Sequence, residues 1–186
     1  MTDLIVVGFK QDRERAGVVL TELRERDAAW TSALHGAIAV TSNAPGELRI
    51  DQSFEATKGE GAIVHAMLGS LLGIALATLA LPLTAIAGAT VAAGSLVAGA
   101  LGGTIVGAHG HKTDEQWWRE DIGIPDAFFA RVGELVQPGD SAICLLREAT
   151  ATDDLAARFG AYGGTVIRAE LTAEQSAKVR KRLVSA

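Results

Sequence analysis

Residues 61–108 read GAIVHAMLGSLLGIALATLALPLTAIAGATVAAGSLVAGALGGTIVGA and contain no Asp, Glu, Lys or Arg. His65 is the one titratable side chain in this window. The 186-residue chain is 21% charged, with 17 Lys+Arg and 22 Asp+Glu. A window of this size would ordinarily carry about ten charges. All the charge therefore lies in the flanks, and the chain reads as two materials. A discontinuous α/β domain, 1–58 and 115–186, is divided by an inserted apolar helical hairpin, 59–114.

The hairpin reading rests on length and on glycine. From Ala62 to Leu81 the chain has about 20 uncharged positions, which as a helix would span roughly 30 Å, the thickness of a hydrocarbon core. Pro82 interrupts the run and suits a reversal, with a second apolar arm over 83–108. Gly69 and Gly73 form one GxxxG pair. Ser95, Gly99, Gly103 and Gly107 recur at four-residue steps. On a helix such residues leave a groove without side chains, so another backbone can approach closely. Glycine inside a helix is costly unless packing requires it. The hairpin is thus expected to self-associate. It does so either in a bilayer or in the middle of a soluble assembly, because water would not tolerate so large an exposed apolar patch. Trp117 and Trp118 follow at the distance expected of membrane-interface anchors; packing between hairpin and domain is the alternative for them.

The flanks read as ordinary α/β sequence. Leu4–Phe9 is a buried strand, and 12–29 a helix with Val19, Leu20 and Leu23 on one stripe. Ala37–Thr41 is a strand. A turn at 43–46 leads into a half-exposed strand carrying Leu48, Ile50 and either Gln52 or Phe54. After the insert, Pro125 opens a helix with Phe128, Phe129, Val132 and Leu135, stopped by Pro138-Gly139-Asp140. Ser141–Leu146 is a buried strand. Thr152 caps a short helix with Asp153 and Asp154 in its first turn. Gly163-Gly164 turns into a strand at 165–169, and Thr172 with Gln175 forms a capping box for the last helix. The first βαββ, the insert and the following αβ match a ferredoxin-like, split βαβ arrangement, and the final αβα is an added unit. The fold class is α+β.

Chemistry is sparse. Net charge is −5, against nucleic-acid binding by bulk positive charge. Cys144 is the single cysteine, which excludes disulfide frameworks and Cys-rich zinc sites. His109-Gly110-His111, with His35 and His65, lacks the spacing of a closed metal site. No phosphate loop or nucleophile elbow is present. Cys144 reads as an inert core thiol and Asp121 as a turn residue. The N-terminal MTDLIVVGFKQDRERAG has no basic n-region or long apolar h-region, so the chain is expected to start inside the cell.

The strand-like LIVVGF start, the charged helix and the glycine-rich stretch with Gly69, Gly73, Pro82 and Gly88 come first. Asp121-Ile122-Gly123-Ile124 and Pro138-Gly139-Asp140-Ser141-Ala142 follow. Together these resemble the bacterial predicted membrane proteins of domain-of-unknown-function family 1269. The resemblance implies a membrane-associated bacterial protein and supplies no catalytic residue or cofactor. The expectation is a non-enzymatic protein without cofactor or metal, whose partners are its own copies and a lipid bilayer. The hairpins would lie in the inner membrane and the α/β domains in the cytoplasm, as a scaffold or membrane-organising protein. A soluble cytoplasmic homo-oligomer with hairpins in a central bundle, ring or shell is the alternative. A small-molecule sensor is a third reading, by fold analogy.

Overall fold

The computed structural model describes residues 2–44, 47–51, 61–80, 114–148 and 154–184. Five strands form one antiparallel sheet: β1 (Thr2–Phe9), β2 (Leu34–Ala44), β3 (Glu47–Asp51), β4 (Ser141–Glu148) and β5 (Thr165–Leu171). Their order is β3-β2-β4-β1-β5. The chain is α+β, with helices on both faces of the sheet.

β1 and β4 sit near the middle, and their sequences say why. LIVV and AICLL are continuous apolar runs, as expected of strands covered on both faces. β5 alternates exposed and buried positions, as an edge strand should. It pairs with β1 over an unbroken register from Thr2↔Leu171 to Gly8↔Thr165. The terminal strand, expected to belong to an added unit, is therefore the sheet's outer strand beside β1. β2 is longer than its sequence pattern suggests, because its start pairs with Arg147 through a bulge between Leu34 and Gly36.

One face is covered by α1 (Arg15–Arg26), α2 (Ala28–Thr31) and α6 (Leu155–Gly160). Ala16, Val19, Leu20 and Leu23 point inward at helical spacing, and meet Ile5, Val7, Phe9, Ile143, Leu145 and Phe159. Asp12 begins α1 by accepting from the backbone N–H of Glu14 and Arg15 at 3.2 and 3.0 Å. α6 is capped by Asp154, which accepts from Ala157 N at 2.9 Å. Asp154 thus takes the role that the sequence suggests for Thr152, which lies outside the described residues.

The other face is covered by α3 (Gly61–Ala80), α5 (Asp126–Leu135) and α7 (Ala173–Val184). α3 is the first arm of the apolar stretch. Met67, Leu68, Leu71, Leu72, Ile74, Ala75 and Leu76 are all buried in the same cluster as Leu4, Val6, Ile38, Val40 and Phe129. The first half of the expected insert is part of the domain's own interior. Among the described residues no helix is long and apolar enough to cross a membrane.

α7 starts with the expected capping box: Thr172 N donates to Gln175 Oε1 at 2.7 Å, and Gln175 N to Thr172 Oγ1 at 3.2 Å. Pro125 sits at the N-cap of α5 in extended conformation, where a missing N–H costs nothing.

Candidate functional site

The residues singled out by sequence fall into three groups: the stem that returns from the apolar stretch, the PGDSA segment, and the glycine row.

The stem is α4 (Asp114–Gln116) running into a π-helical turn (Trp117–Asp121). Such turns are rare and often mark functional places in a helix. Trp118 has no exposed surface. Its indole Nε1–H donates to Ser70 Oγ on α3 at 3.3 Å. A ring enclosed in this way fits the packing alternative offered for Trp118, contact between the apolar stretch and the domain. Trp117 is half-buried, edge-to-face with Trp118 at 4.8 Å between centroids, and the Arg182 guanidinium lies 4.2 Å above its ring. Arg182 also pairs with Asp114. Further along α7, Lys178 Nζ donates to Asp121 O at 3.1 Å and Gln175 Nε2 to Ile122 O at 2.5 Å. Gln175, Lys178 and Arg182 lie on one side of α7 and run antiparallel to the stem. Asp121-Ile122-Gly123-Ile124 is thus a joint. Ile122 and Ile124 enter the core, and Gly123 turns at φ +77°.

The PGDSA segment surrounds one buried carboxylate. Asp140 Oδ2 accepts from Lys10 Nζ and from Gln137 N, each at 2.8 Å, and Oδ1 accepts from Gln11 N at 2.8 Å. Burial alone would raise its pKa. The Lys10 ammonium and the two N–H donors outweigh burial and hold the carboxyl below its ordinary value. Lys10 Nζ also donates to Leu135 O at 2.8 Å, where the C-terminal carbonyls of α5 favour a cation. Ser141 Oγ accepts from Ala16 N at 3.1 Å and donates to Asp12 O at 2.5 Å. Gly139 adopts φ +93°, a conformation that side chains rarely tolerate. This hub ties the β1–α1 loop, the end of α5 and the start of β4 together. Sequence pattern marks Asp140 only as part of a helix stop. The signal that could have found it is a carboxylate placed directly before a fully apolar strand, where it has to find partners.

The glycine row is divided. Gly69 is buried on α3, and a Cβ there would lie 2.9 Å from Ile50 Cδ1 of β3, so its bareness admits a close approach within the chain. Gly73 is half-buried on the same helix. Pro82, Ser95, Gly99, Gly103 and Gly107 lie outside the described residues, as do His109 and His111.

Two further groups that the sequence brings up are chemically quiet. Cys144 is fully buried in β4, and burial pushes its thiol pKa far up. His35 is half-buried on β2, and burial lowers its pKa. Among the described residues no cluster of three or more His, Cys, Asp or Glu could hold a metal.

The chain matches the family model described as "Protein of unknown function (DUF1269)" over residues 61–184. That match covers most of the sequence, and the protein belongs to this family. It takes in α3, the stem, the joint and the PGDSA segment, and begins after β3, so the hub's partners Lys10, Gln11, Asp12 and Ala16 lie outside it. No curated protein and no solved structure matches the chain.

Proposed function

We propose that this is a non-enzymatic, self-associating protein in which a ferredoxin-like domain carries a glycine-zipper arm. In this reading β1-α1-β2 and β4-α6-β5 are the two βαβ halves, and β3 is an added edge strand. Assembly runs through the arm bearing Ser95, Gly99, Gly103 and Gly107, which packs against the same arm of neighbouring copies.

The observation that carries this reading is the burial of α3. Its buried apolar side chains join the core formed by the sheet and α5, so the first arm is committed within the chain. That favours a homo-oligomer held by protein contacts over hairpins dissolved in lipid. The non-enzymatic reading is supported by the two strongest polar candidates. Both oxygens of Asp140 are occupied by fixed donors, and the Cys144 thiol is sealed in the sheet.

The test is the size of the full-length protein in detergent-free extract, by light scattering, with carbonate washing of the membrane fraction alongside. The expected result is an oligomer in the carbonate-soluble fraction that falls apart in Gly99→Leu and Gly103→Leu, with circular dichroism unchanged. An oligomer of unchanged mass in both variants overturns the zipper. Retention in the carbonate-washed membrane overturns the protein-held assembly in favour of lipid insertion.

A further inference from the structure

The sheet ends at β5, and among the described residues no strand pairs with its outer side. All seven residues of β5 pair with β1 without a bulge, and none is proline. Such an edge offers unpaired backbone N–H and C=O groups to another chain.

Its side chains specify which chain. Asp3 lies opposite Arg147 of β4 on one side and opposite Glu170 of β5 on the other. The row therefore runs Arg147, Asp3, Glu170, and ends at the edge with two carboxylates side by side. Like charges directly opposite are unfavourable. One guanidinium serves both: Arg168 Nη2 is 2.9 Å from Asp3 Oδ2 and 3.2 Å from Glu170 Oε1. Asp3 is buried, and its Oδ1 has no hydrogen-bond partner. Glu170 stands exposed at the open end of the row, sharing its one cation with Asp3.

We infer that Glu170 gains a further cation, Arg168 of a second copy, by antiparallel pairing of β5 with itself. Opposed residues in an antiparallel pair share a face, so each two-fold register can be read directly. Setting Arg168 opposite Arg168, or Glu170 opposite Glu170, places like charges together. Setting Ala169 opposite Ala169 does the reverse. Arg168 then faces Glu170 twice across the seam, and on the other face Ile167 meets Leu171. The result is one continuous sheet through both copies, in which each row of Arg147, Asp3 and Glu170 ends on the second copy's guanidinium. This contact is isologous and closes at two copies, independently of the glycine arm.

Ala169→Cys tests it in the full-length chain. The two thiols would face each other on the two-fold axis, about 4.5–5.5 Å apart at Cβ, within reach of a short bismaleimide. The native Cys144 is buried in β4 and does not compete. Ala169→Cys is expected to give a covalent dimer on a denaturing gel. Adding Glu170→Arg should cut the yield by about tenfold or more, because that change sets a cation against the Arg168 of the second copy. Within one chain the same change places a cation opposite Asp3, so folding is retained, checked by an unchanged or raised melting temperature. Cross-linking should persist when Gly99→Leu and Gly103→Leu are added. An Ala169→Cys protein that stays single-chain, equal cross-linking with Glu170→Arg, or loss of the cross-link in the glycine variants would each overturn the edge pairing.

Discussion

The two faces of the sheet are built to different rules. On one, α1 and α6 are short amphipathic connections that bury one stripe and carry their Arg and Glu residues elsewhere. On the other, α3 is apolar nearly all round and carries no Asp, Glu, Lys or Arg. A helix that is hydrophobic on every side is buried either in a protein core or in a bilayer, and periodicity alone cannot separate the two. The difference teaches that composition measures how deeply α3 is buried and says nothing of what buries it. The sheet, with Leu4, Val6, Ile38 and Val40 on that face, supplies the answer.

The sharpest way to break this comparison is to make cavities on both faces. Phe159→Ala, on α6, is expected to cost about 3–5 kcal/mol, and Leu71→Ala, on α3, about 2–5 kcal/mol. Urea denaturation followed by tryptophan fluorescence, with Trp30 reporting on one face and Trp118 on the other, would measure both. A Leu71→Ala protein as stable as the parent would remove α3 from the core and restore the distinction that the sequence draws between domain and insert.

A smaller effect is expected from acid, and it separates two parts of the fold in pH. The carboxyl of Asp140 is held below its ordinary value of 3.8. Its contribution is complete above that pH and is lost as the pH falls through the lowered folded-state pKa. His35 is depressed from 6.5, chiefly by burial. Its neutral form is favoured in the fold, so stability declines as the pH drops below that value. Stability against pH should therefore fall in two stages. His35→Gln should remove the first and Asp140→Asn should reduce the second, to which Asp27, lowered by its hydrogen bond from Arg158, also contributes, each followed by urea midpoints across the acid range.

The smallest effect tests the seam between stem and α3. Trp118→Phe keeps a buried ring and deletes the donor to Ser70, at an expected cost of about 0.5–1.5 kcal/mol for the hydrogen bond. A loss as large as that of Leu71→Ala in the same denaturation assay would mean that the π-helical turn depends on the whole indole and not on the single hydrogen bond.

What the sequence makes legible is local. The apolar runs of β1 and β4, the Val19, Leu20 and Leu23 stripe, the Phe128 and Phe129 helix and the Thr172–Gln175 box all depend on residues within a few positions of each other. What stays hidden depends on distance along the chain. Asp140 reads as a helix stop until Lys10 and Gln11 arrive from the β1–α1 loop. Trp118 reads equally as an interface residue or as packing against the domain until Ser70 is placed beside it. Gly69 reads as half of a zipper until Ile50 fills the space beside it. A pattern of small and apolar residues records that something will pack closely, and the identity of the neighbour lies in the topology.

α3 and the stem are both set in the interior, by Leu71 and Leu72 on one side and Trp118 on the other. A pull applied at the end of α3 and the start of the stem would therefore meet two anchored bases.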